Sequence, residues 1–440
     1  MSADAVRATL WFWPSVAAAL SLGVTLALLA VRPSSDAGWA TWLWPADASA
    51  ATALLQVVAT ATMTATTLTF SLTVVALQLA SQQFSPRLLR EFARDRVTQA
   101  VLGFLVSTFV VSLAGLRGLD PDRPLPVVVL ALALVMGVAS AGALLAFVGH
   151  IVRALRVDTM MVSVRGESAR TVSDTYPAYD DRRKVPRDGL PGPDGGVLLA
   201  AARSGFVTVV EPGVLVEAAR RHGVFLRLGV PPGDHITLGA PVGSAWPVEA
   251  GGVDADALTP DVLAGIGLGF ERTVEQDLAL GLRQLTDIAV KAISPGINDP
   301  VTAAHAVGYS GDLLIRLQGR HLGPQEHLDG AGAVRVVTPD RDLRYYLDLV
   351  CAPVRRFGTA EPLVLTALLR MLRACAVQAR DDEQRAQLSA QVDLVLESIA
   401  DEVLPYDADA VRDLAARCRL ALAGDVDSAF RDRSGETRSV

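Results

Sequence analysis

The chain has 440 residues, of which 51% are hydrophobic, and a formal net charge of −7 at pH 7. This length leaves room for more than one domain, and the negative charge argues against a general role in binding nucleic acid. The three cysteines, Cys351, Cys375 and Cys418, lack the spacing of metal ligands, so we expect reduced thiols packed in a core and no metal site.

Four hydrophobic runs predict a transmembrane domain over residues 1–156. A helix needs about 20 apolar residues to cross a bilayer, and the four runs cover residues 10–31, 51–80, 97–116 and 126–148. A signal peptide is the alternative for the first run. Its length, together with Trp11 and Trp13 near its start, favours a retained helix with an aromatic belt at the membrane interface.

The second run is uncharged but rich in hydroxyl and amide side chains. At about 100° per residue, these side chains fall into two stripes on nearly opposite sides of a helix. The short stripe consists of Thr62, Thr66, Thr69 and Thr73, and the long stripe of Gln56, Thr60, Thr64, Thr67, Ser71, Gln78 and Gln82. Small hydroxyl residues let helices approach closely, which favours helix packing for the short stripe. For the long stripe, packing and a water-lined path are equally good interpretations, because buried amides need partners or water.

A cluster of arginines follows the second run. We expect residues 81–99 to form a short amphipathic helix at the membrane surface, and this segment carries Arg87, Arg90, Arg94 and Arg96. The positive-inside rule explains these arginines most simply, and the alternative is a cationic vestibule or a contact with anionic lipid. A second basic cluster, Arg153, Arg156 and Arg165, follows the fourth run. Four spans with both termini in the cytoplasm place both clusters inside, which predicts a multi-pass protein of the bacterial inner membrane.

The rest of the chain predicts a cytosolic α+β region. Residues 157–196 are typical of a helix followed by a linker rich in Pro and Gly. Residues 197–250 predict a small β-rich subdomain, whose PGD turn and flanking strands resemble the barrel-like biotinyl and lipoyl domains, although the lysine that such carriers modify is missing. Residues 251–430 predict a helical subdomain, and residues 431–440 a disordered tail. The predicted fold class is therefore multi-domain, with a four-helix transmembrane bundle followed by a β-barrel-like and a helical subdomain.

Two features of the predicted helical subdomain invite a structural interpretation. In the SPGINDP loop, Gly296 is expected to end one helix, Asp299 to cap the next and Pro300 to occupy its first turn, so that these residues and Asn298 form a structural loop. The charged residues of the preceding helix are spaced as on a solvated helix face; they are Asp277, Arg283, Asp287 and Lys291.

Three separate segments form a distinctive combination of motifs. The first is FSLTVVALQLASQQFSPRLLREFARDR, the second SGFV with PPGDHITLGAPV, and the third DIAVKAISPGINDPVTA. Together they resemble a family of predicted bacterial membrane proteins, DUF2254. The matching residues are Phe70–Arg96, Gly233–Gly239 and Ser294–Pro300. The resemblance includes the order of these motifs and covers nearly the whole chain. The resemblance implies a membrane domain and a soluble C-terminal region, and it implies neither a substrate nor catalytic residues.

The motif search favours transport or sensing over catalysis. GxSxG, Walker A, HExxH and CxxC motifs are absent from the sequence, so we expect no enzymatic activity and no cofactor. The leading hypothesis is a homo-oligomeric channel or transport protein, with a path lined by the second span and gated by the cytosolic domain. The alternative is a non-conducting membrane-anchored sensor or scaffold whose cytosolic domain binds a ligand or partner. The expected partners are membrane lipid, further copies of the chain, and ions or small solutes, without nucleic acid.

Overall fold

The computed structural model divides the protein into two compact units, Met1–Met160 (unit 1) and Met161–Val440 (unit 2). The residues that the structure describes are 11–30, 43–44, 47–83, 95–120, 123–180, 190–191 and 195–431, and for residues 80–83 the description covers the backbone alone.

Unit 1 contains four described helices that are long and apolar enough to cross a membrane. They are α1 (Phe12–Leu29), α2 (Ala48–Gln83), α3 (Arg96–Arg117) and α4 (Val127–Ala154). The four predicted spans are thereby confirmed as helices. The α2 helix extends beyond its predicted range at both ends, and α4 extends beyond residue 148 to Ala154.

The α3 helix is the centre of unit 1. It packs against α1, α2 and α4. In its apolar 18-residue stretch, 56% of the residues are buried, a larger share than in the other three helices. Gly115 permits a close approach, because a Cβ atom at this position would lie 3.2 Å from side-chain atoms of both Leu55 and Val129. Small residues at such contacts let helices pack tightly in a bilayer. The core of the bundle is therefore organised by the third span rather than by the hydroxyl-rich second one.

Unit 2 begins within α5 (Val157–Thr175) and continues as a mixed α/β region. A five-stranded sheet has the order β1-β5-β3-β8-β7, and a three-stranded sheet has the order β4-β2-β6. Among the strand pairings that the described residues form, only that of β3 with β8 is parallel. The described strands are β1 (Val197–Ala200), β2 (Gly205–Val210), β3 (Val224–Leu228), β4 (His235–Ile236), β5 (Pro241–Pro247), β6 (Ile266–Gly269), β7 (Gln325–Leu328) and β8 (Val334–Thr338).

Two helices, α6 and α7, pack on the sheets, and a group of helices completes unit 2. One buried cluster joins Leu215 of α6, Leu226 of β3, Leu258 of α7 and Val336 of β8. Among the later helices, α9 packs against α8 and α11, and α11 packs against α13. The helix bounds are α6 (Pro212–Arg221), α7 (Ala255–Ala264), α8 (Leu278–Ala292), α9 (Pro300–Gln318), α10 (Leu343–Phe357), α11 (Pro362–Val377), α12 (Asp382–Glu397), α13 (Pro405–Leu422) and α14 (Val426–Phe430).

The β region differs from the sequence prediction. The described residues form two open sheets and no closed barrel, so the barrel-like shape is not confirmed. The turn glycines Gly233 and Gly239 do adopt positive φ angles of 90° and 79°, as tight turns require. Three strands, β6, β7 and β8, lie inside the range 251–430 that was predicted to be helical. Since β8 pairs with β3, the two predicted subdomains share one sheet and belong to one compact unit.

Candidate functional sites

The long polar stripe of α2 lies on the exposed face of that helix. Every described side chain of the stripe is exposed: Gln56, Thr60, Thr64, Thr67, Ser71 and Gln78. The side chain of Gln82 lies outside the described residues. The opposite face carries the buried residues Leu55, Val58 and Ala76. The stripe therefore points away from the contacts that α2 makes with the other described helices of its own chain.

The short stripe has a different role, because it faces the bundle. Thr62 and Thr69 are 2% and 0% exposed, and Thr66 and Thr73 are half-buried. The hydroxyls of Thr62 and Thr66 donate to the carbonyls of Val58 and Thr62, each over 2.7 Å. These local hydrogen bonds satisfy the hydroxyls of Thr62 and Thr66, whereas the buried Thr69 hydroxyl has no hydrogen-bond partner among the described residues. The burial of the short stripe against the bundle confirms its packing interpretation.

Apolar side chains border the long stripe on both sides. Met63, Phe70 and Leu77 are 51%, 39% and 38% exposed on one flank, and Val57, Leu68 and Val75 are 66%, 48% and 45% exposed on the other. Helical periodicity places the polar stripe between these two flanks. The side chains of α2 that point most directly away from the bundle are therefore polar. A helix that simply faces lipid has apolar side chains in those positions.

The hydroxyl and amide groups of the long stripe differ in what they need from their surroundings. Thr64 and Thr67 donate to the carbonyls of Thr60 and Met63 over 2.9 and 3.0 Å. Such hydroxyls tolerate an apolar environment, because the helix itself accepts their protons. The amides of Gln56 and Gln78 each carry two donor hydrogens and an acceptor oxygen, and both side chains are exposed. These two residues most need water or polar partners from outside the chain.

The arginine cluster after α2 falls mostly outside the described residues. Arg87, Arg90 and Arg94 belong to the range 84–94 that the structure does not describe, so the vestibule and lipid-contact interpretations stay predictions. Arg96 is exposed at the first position of α3. The preceding residue, Asp95, caps α3, and its Oδ2 atom lies 2.7 Å from Nε2 of His150 in α4.

The SPGINDP loop connects α8 to α9 and caps the start of α9. The Asp299 carboxylate accepts hydrogen bonds from the backbone N–H and the hydroxyl of Thr302 over 3.0 and 2.6 Å, which lowers the pKa of Asp299. Asp299 thus caps α9, Pro300 is the first residue of that helix, and both positions match the sequence prediction. The prediction that Gly296 ends the preceding helix is wrong, because α8 ends at Ala292 and Ile293 is its C-cap residue. Asn298 has a φ of 51°, a left-handed conformation that Asn adopts more readily than most residues.

A buried charge cluster in unit 2 was not predicted from the sequence. Asp277 is 1% exposed, and its carboxylate lies 2.6 Å from Arg272 and 3.6 Å from Arg341. Arg341 also donates to the carbonyl of Pro232 and to the carboxylate of Asp234, each over 2.9 Å. One guanidinium group thus joins the PPGD turn, the segment before α8 and the segment before α10. The prediction that Asp277 lies on a solvated helix face is wrong, because its cationic partners bury it.

Gly233 is part of the same cluster. A Cβ atom at this position would collide with the carboxylate of Asp277, and the positive φ of Gly233 also disfavours other residues. The PPGD turn therefore requires glycine for two separate reasons, its backbone conformation and its contact with the buried aspartate.

Two tyrosines and a second aspartate extend the cluster. The hydroxyls of Tyr176 and Tyr346 lie 2.8 Å apart, and the Tyr176 hydroxyl donates to Asp340 over 3.5 Å. Burial raises the pKa of Asp340 to about 6. Burial also raises the pKa of Asp277, although Arg272 and Arg341 act against it. The cluster therefore contains a carboxyl group, that of Asp340, whose protonation changes in the mildly acidic range.

The family model for predicted membrane proteins (DUF2254) matches residues 7–374 of this chain. The chain belongs to the DUF2254 family. An uncharacterised protein of Mycobacterium bovis is 33% identical over 400 residues, which cover 89% of this chain and 76% of the relative. Uncharacterised proteins from two strains of Mycobacterium tuberculosis match with the same identity and coverage. No solved structure matches the chain.

Membership of DUF2254 agrees with the membrane helices of unit 1, and the match also extends over most of unit 2. The PPGD turn, the SPGINDP loop and the charged residues Asp277 and Arg341 all lie within the matched range. In the sequence of this DUF2254 chain, the PGD turn is the only feature that hints at the buried cluster. The turn by itself does not predict that Arg272 and Arg341 pair with Asp277.

We expect Arg341→Ala to destabilise unit 2 by about 1–3 kcal/mol, because it removes one of the two cations beside buried Asp277 and the hydrogen bonds to Pro232 and Asp234, while Arg272 stays paired with Asp277. Thermal unfolding of the purified full chain in detergent measures this effect. The control is Arg344→Ala on α10, whose side chain is 76% exposed and whose loss should cost less than about 1 kcal/mol. Equal effects of the two substitutions would contradict the assigned role of Arg341.

Proposed function

We propose that the protein is a homo-oligomeric channel or transport protein of the bacterial inner membrane, with a path lined by the long polar stripe of α2. The single observation that supports the proposal most strongly is the exposure of this stripe between two apolar flanks. In a ring of copies, the polar stripes face a common axis and the apolar flanks contact neighbouring copies or lipid. Closed cyclic symmetry is the usual form of such homo-oligomers.

The cost of polar groups in hydrocarbon supports assembly over a lone copy. Exposed amides in lipid lose the hydrogen bonds that water supplies, at a cost of several kcal/mol for each unsatisfied group. A water-filled path restores those bonds to Gln56 and Gln78, whereas a single copy in lipid leaves both amides in contact with acyl chains or headgroups. The stripe also carries no charge, so the expected cargo consists of ions or small solutes passing a neutral surface.

Charge selectivity, in this proposal, comes from the arginines rather than from the span. Arg87, Arg90, Arg94 and Arg96 follow the stripe in sequence, and a ring of such cations at the inner end of a path favours anions. The same residues can contact anionic lipid headgroups, which makes membrane lipid a partner in either arrangement.

The proposed gating by the cytosolic unit has support from α5. This helix starts at Val157, directly after the end of α4 at Ala154 and a two-residue connection. Within unit 2, Arg165 of α5 pairs with Asp312 over 2.6 Å, and the Thr171 hydroxyl donates to the carbonyl of Val274 over 2.9 Å. A rearrangement of unit 2 therefore moves a helix that is continuous in sequence with the last span.

The second candidate is a non-conducting membrane-anchored sensor or scaffold, whose cytosolic unit binds a ligand or partner. The local hydrogen bonds of Thr64 and Thr67 favour it, because hydroxyls satisfied within the helix need no water. In both candidates the protein is neither an enzyme nor dependent on a cofactor, and it does not bind nucleic acid.

The proposed orientation has both termini in the cytoplasm, with the arginine-rich segments inside. Reporter fusions provide a direct measurement: a fusion at Gly118 should report the outer side, and a fusion at Asp188 the cytoplasmic side. The opposite pair of signals would reverse the orientation and remove the arginines from the inner end of the path.

Water access to the stripe separates the two candidates. Single cysteines at Thr60, Thr64, Thr67 and Ser71 should react with a small charged thiol reagent in intact membranes, because the reactive thiolate forms only where water is present. Two controls should stay unreacted: Leu68→Cys on the apolar flank, and Thr69→Cys, which changes the same residue type on the buried face.

The native cysteines do not interfere with this measurement. Cys351, Cys375 and Cys418 are all buried, and burial raises the pKa of Cys351 and of Cys418 to about 12. Protection of all the stripe positions in folded, membrane-inserted protein would contradict the path and favour the sensor.

A further inference from the structure

We propose that Tyr176, Tyr346 and Asp340 form a proton-dependent latch, which holds the end of α5 to the rest of unit 2 more tightly when the Asp340 carboxyl group is protonated. This latch concerns unit 2 alone, and it does not depend on whether the spans conduct.

The latch joins two elements that are far apart in sequence. Tyr176 directly follows α5 and is 3% exposed, whereas Tyr346 belongs to α10 and is 0% exposed. Their hydroxyl oxygens lie 2.8 Å apart. Asp340 lies just before α10, where Oδ1 accepts the Arg341 backbone N–H over 2.6 Å and the Tyr176 hydroxyl over 3.5 Å.

Asp340 is the group of the latch whose charge changes most readily. Burial raises the pKa values of Tyr176 and Tyr346 above the ordinary value for tyrosine, so both hydroxyls stay neutral near pH 7. Arg341 and Asp277 are the charged neighbours of Asp340, and they act in opposite directions: Arg341 lowers its pKa and Asp277 raises it. The guanidinium of Arg341 also interacts with Asp277 and Asp234. Burial outweighs these effects and brings the pKa of Asp340 to about 6.

The sign of the pH effect follows from this raised pKa. In an open, hydrated latch, Asp340 has an ordinary pKa of about 4, whereas in the closed latch the value is about 6. The closed form therefore binds a proton more strongly. The stability that this proton binding adds to the closed latch is fully present below about pH 4 and decreases as the pH rises to about 6. Above that pH it stays at its lower level. Acidification below pH 6 tightens the latch.

Backbone contacts limit how far the opened segment moves. Arg320 donates to the carbonyl of Tyr176, and the N–H of His321 to the carbonyl of Pro177, each over 2.9 Å. These bonds do not involve Asp340, so they keep residues 176–177 attached at every pH considered. The expected change is therefore a local loosening at the end of α5 rather than a release of the helix.

Hydrogen exchange of the full chain in detergent tests the latch. After correction for intrinsic exchange rates, the protection factors of the amides in the last turn of α5 should fall by about tenfold or more between pH 4.5 and pH 7. Asp340→Asn stays neutral, so it should abolish this pH dependence. Asp174→Asn replaces an exposed carboxylate on the same helix, and it should behave like the unchanged chain.

A second variant keeps the test decisive if Asp340→Asn does not fold. Tyr176→Phe removes the hydroxyl that contacts both Tyr346 and Asp340, and it should lower protection at pH 4.5 towards the level seen at pH 7. The latch is refuted if the unchanged chain has the same protection at both pH values. It is equally refuted if Asp340→Asn keeps the full pH dependence, or if Tyr176→Phe leaves protection at pH 4.5 unaltered.

Discussion

Hydrocarbon offers no partners to polar side chains, and this constraint decides how α2 can be used. The helix carries more hydroxyl and amide groups than a membrane anchor needs. One set, with Thr62 and Thr69, is buried against the bundle, and the hydroxyls of Thr62 and Thr66 donate to carbonyls of the helix itself. The other set, from Gln56 to Gln78, points away from the helices that the structure describes. Because those amides need water or polar partners, the exposed stripe connects the packing of a single chain to the proposal that several chains surround a path.

A second constraint, the burial of charge, organises unit 2. Arg272 and Arg341 compensate Asp277 in a site where an unpaired carboxylate would be costly. Arg341 binds the PPGD turn at the same time. Burial raises the pKa of nearby Asp340 to about 6, and the opposing effect of Arg341 is too small to reverse this. The same cluster therefore fixes the packing of three segments and leaves one group sensitive to acid.

The spans and the two stripes of α2 could be predicted from the sequence because they depend on local periodicity. Hydrophobic length identifies a span, and spacing along one helix places Thr62 opposite Thr64. The capping role of Asp299 was equally local, since its partner Thr302 is three residues away. The sequence could not say which stripe faces the bundle, because this depends on the contacts of α2 with α3 and α4.

Features that depend on distant partners were missed. Asp277 is spaced like a residue of a solvated helix face, and only the fold shows that it is buried beside Arg272 and Arg341. Strand β7 begins with Gln325 and Glu326, whose polar character does not indicate a strand, and it exists because it pairs with β8. The β8 strand joins β3 in parallel across a long stretch of chain. Such a pairing leaves no periodic signal in either segment, so the two open sheets could not be derived from turns alone.

Flux through liposomes tests the central claim most directly. Purified full-length protein, reconstituted and shown to be folded, should increase the passage of small ions above that of empty liposomes. Thr64→Leu should reduce this flux, because the larger apolar side chain narrows the path and excludes water from it. Leu145→Ala, at a 75% exposed apolar position of α4, should leave the flux unchanged. Absence of flux from folded protein across pH 4.5 to 7.5, or equal flux from both variants, would contradict a path along α2.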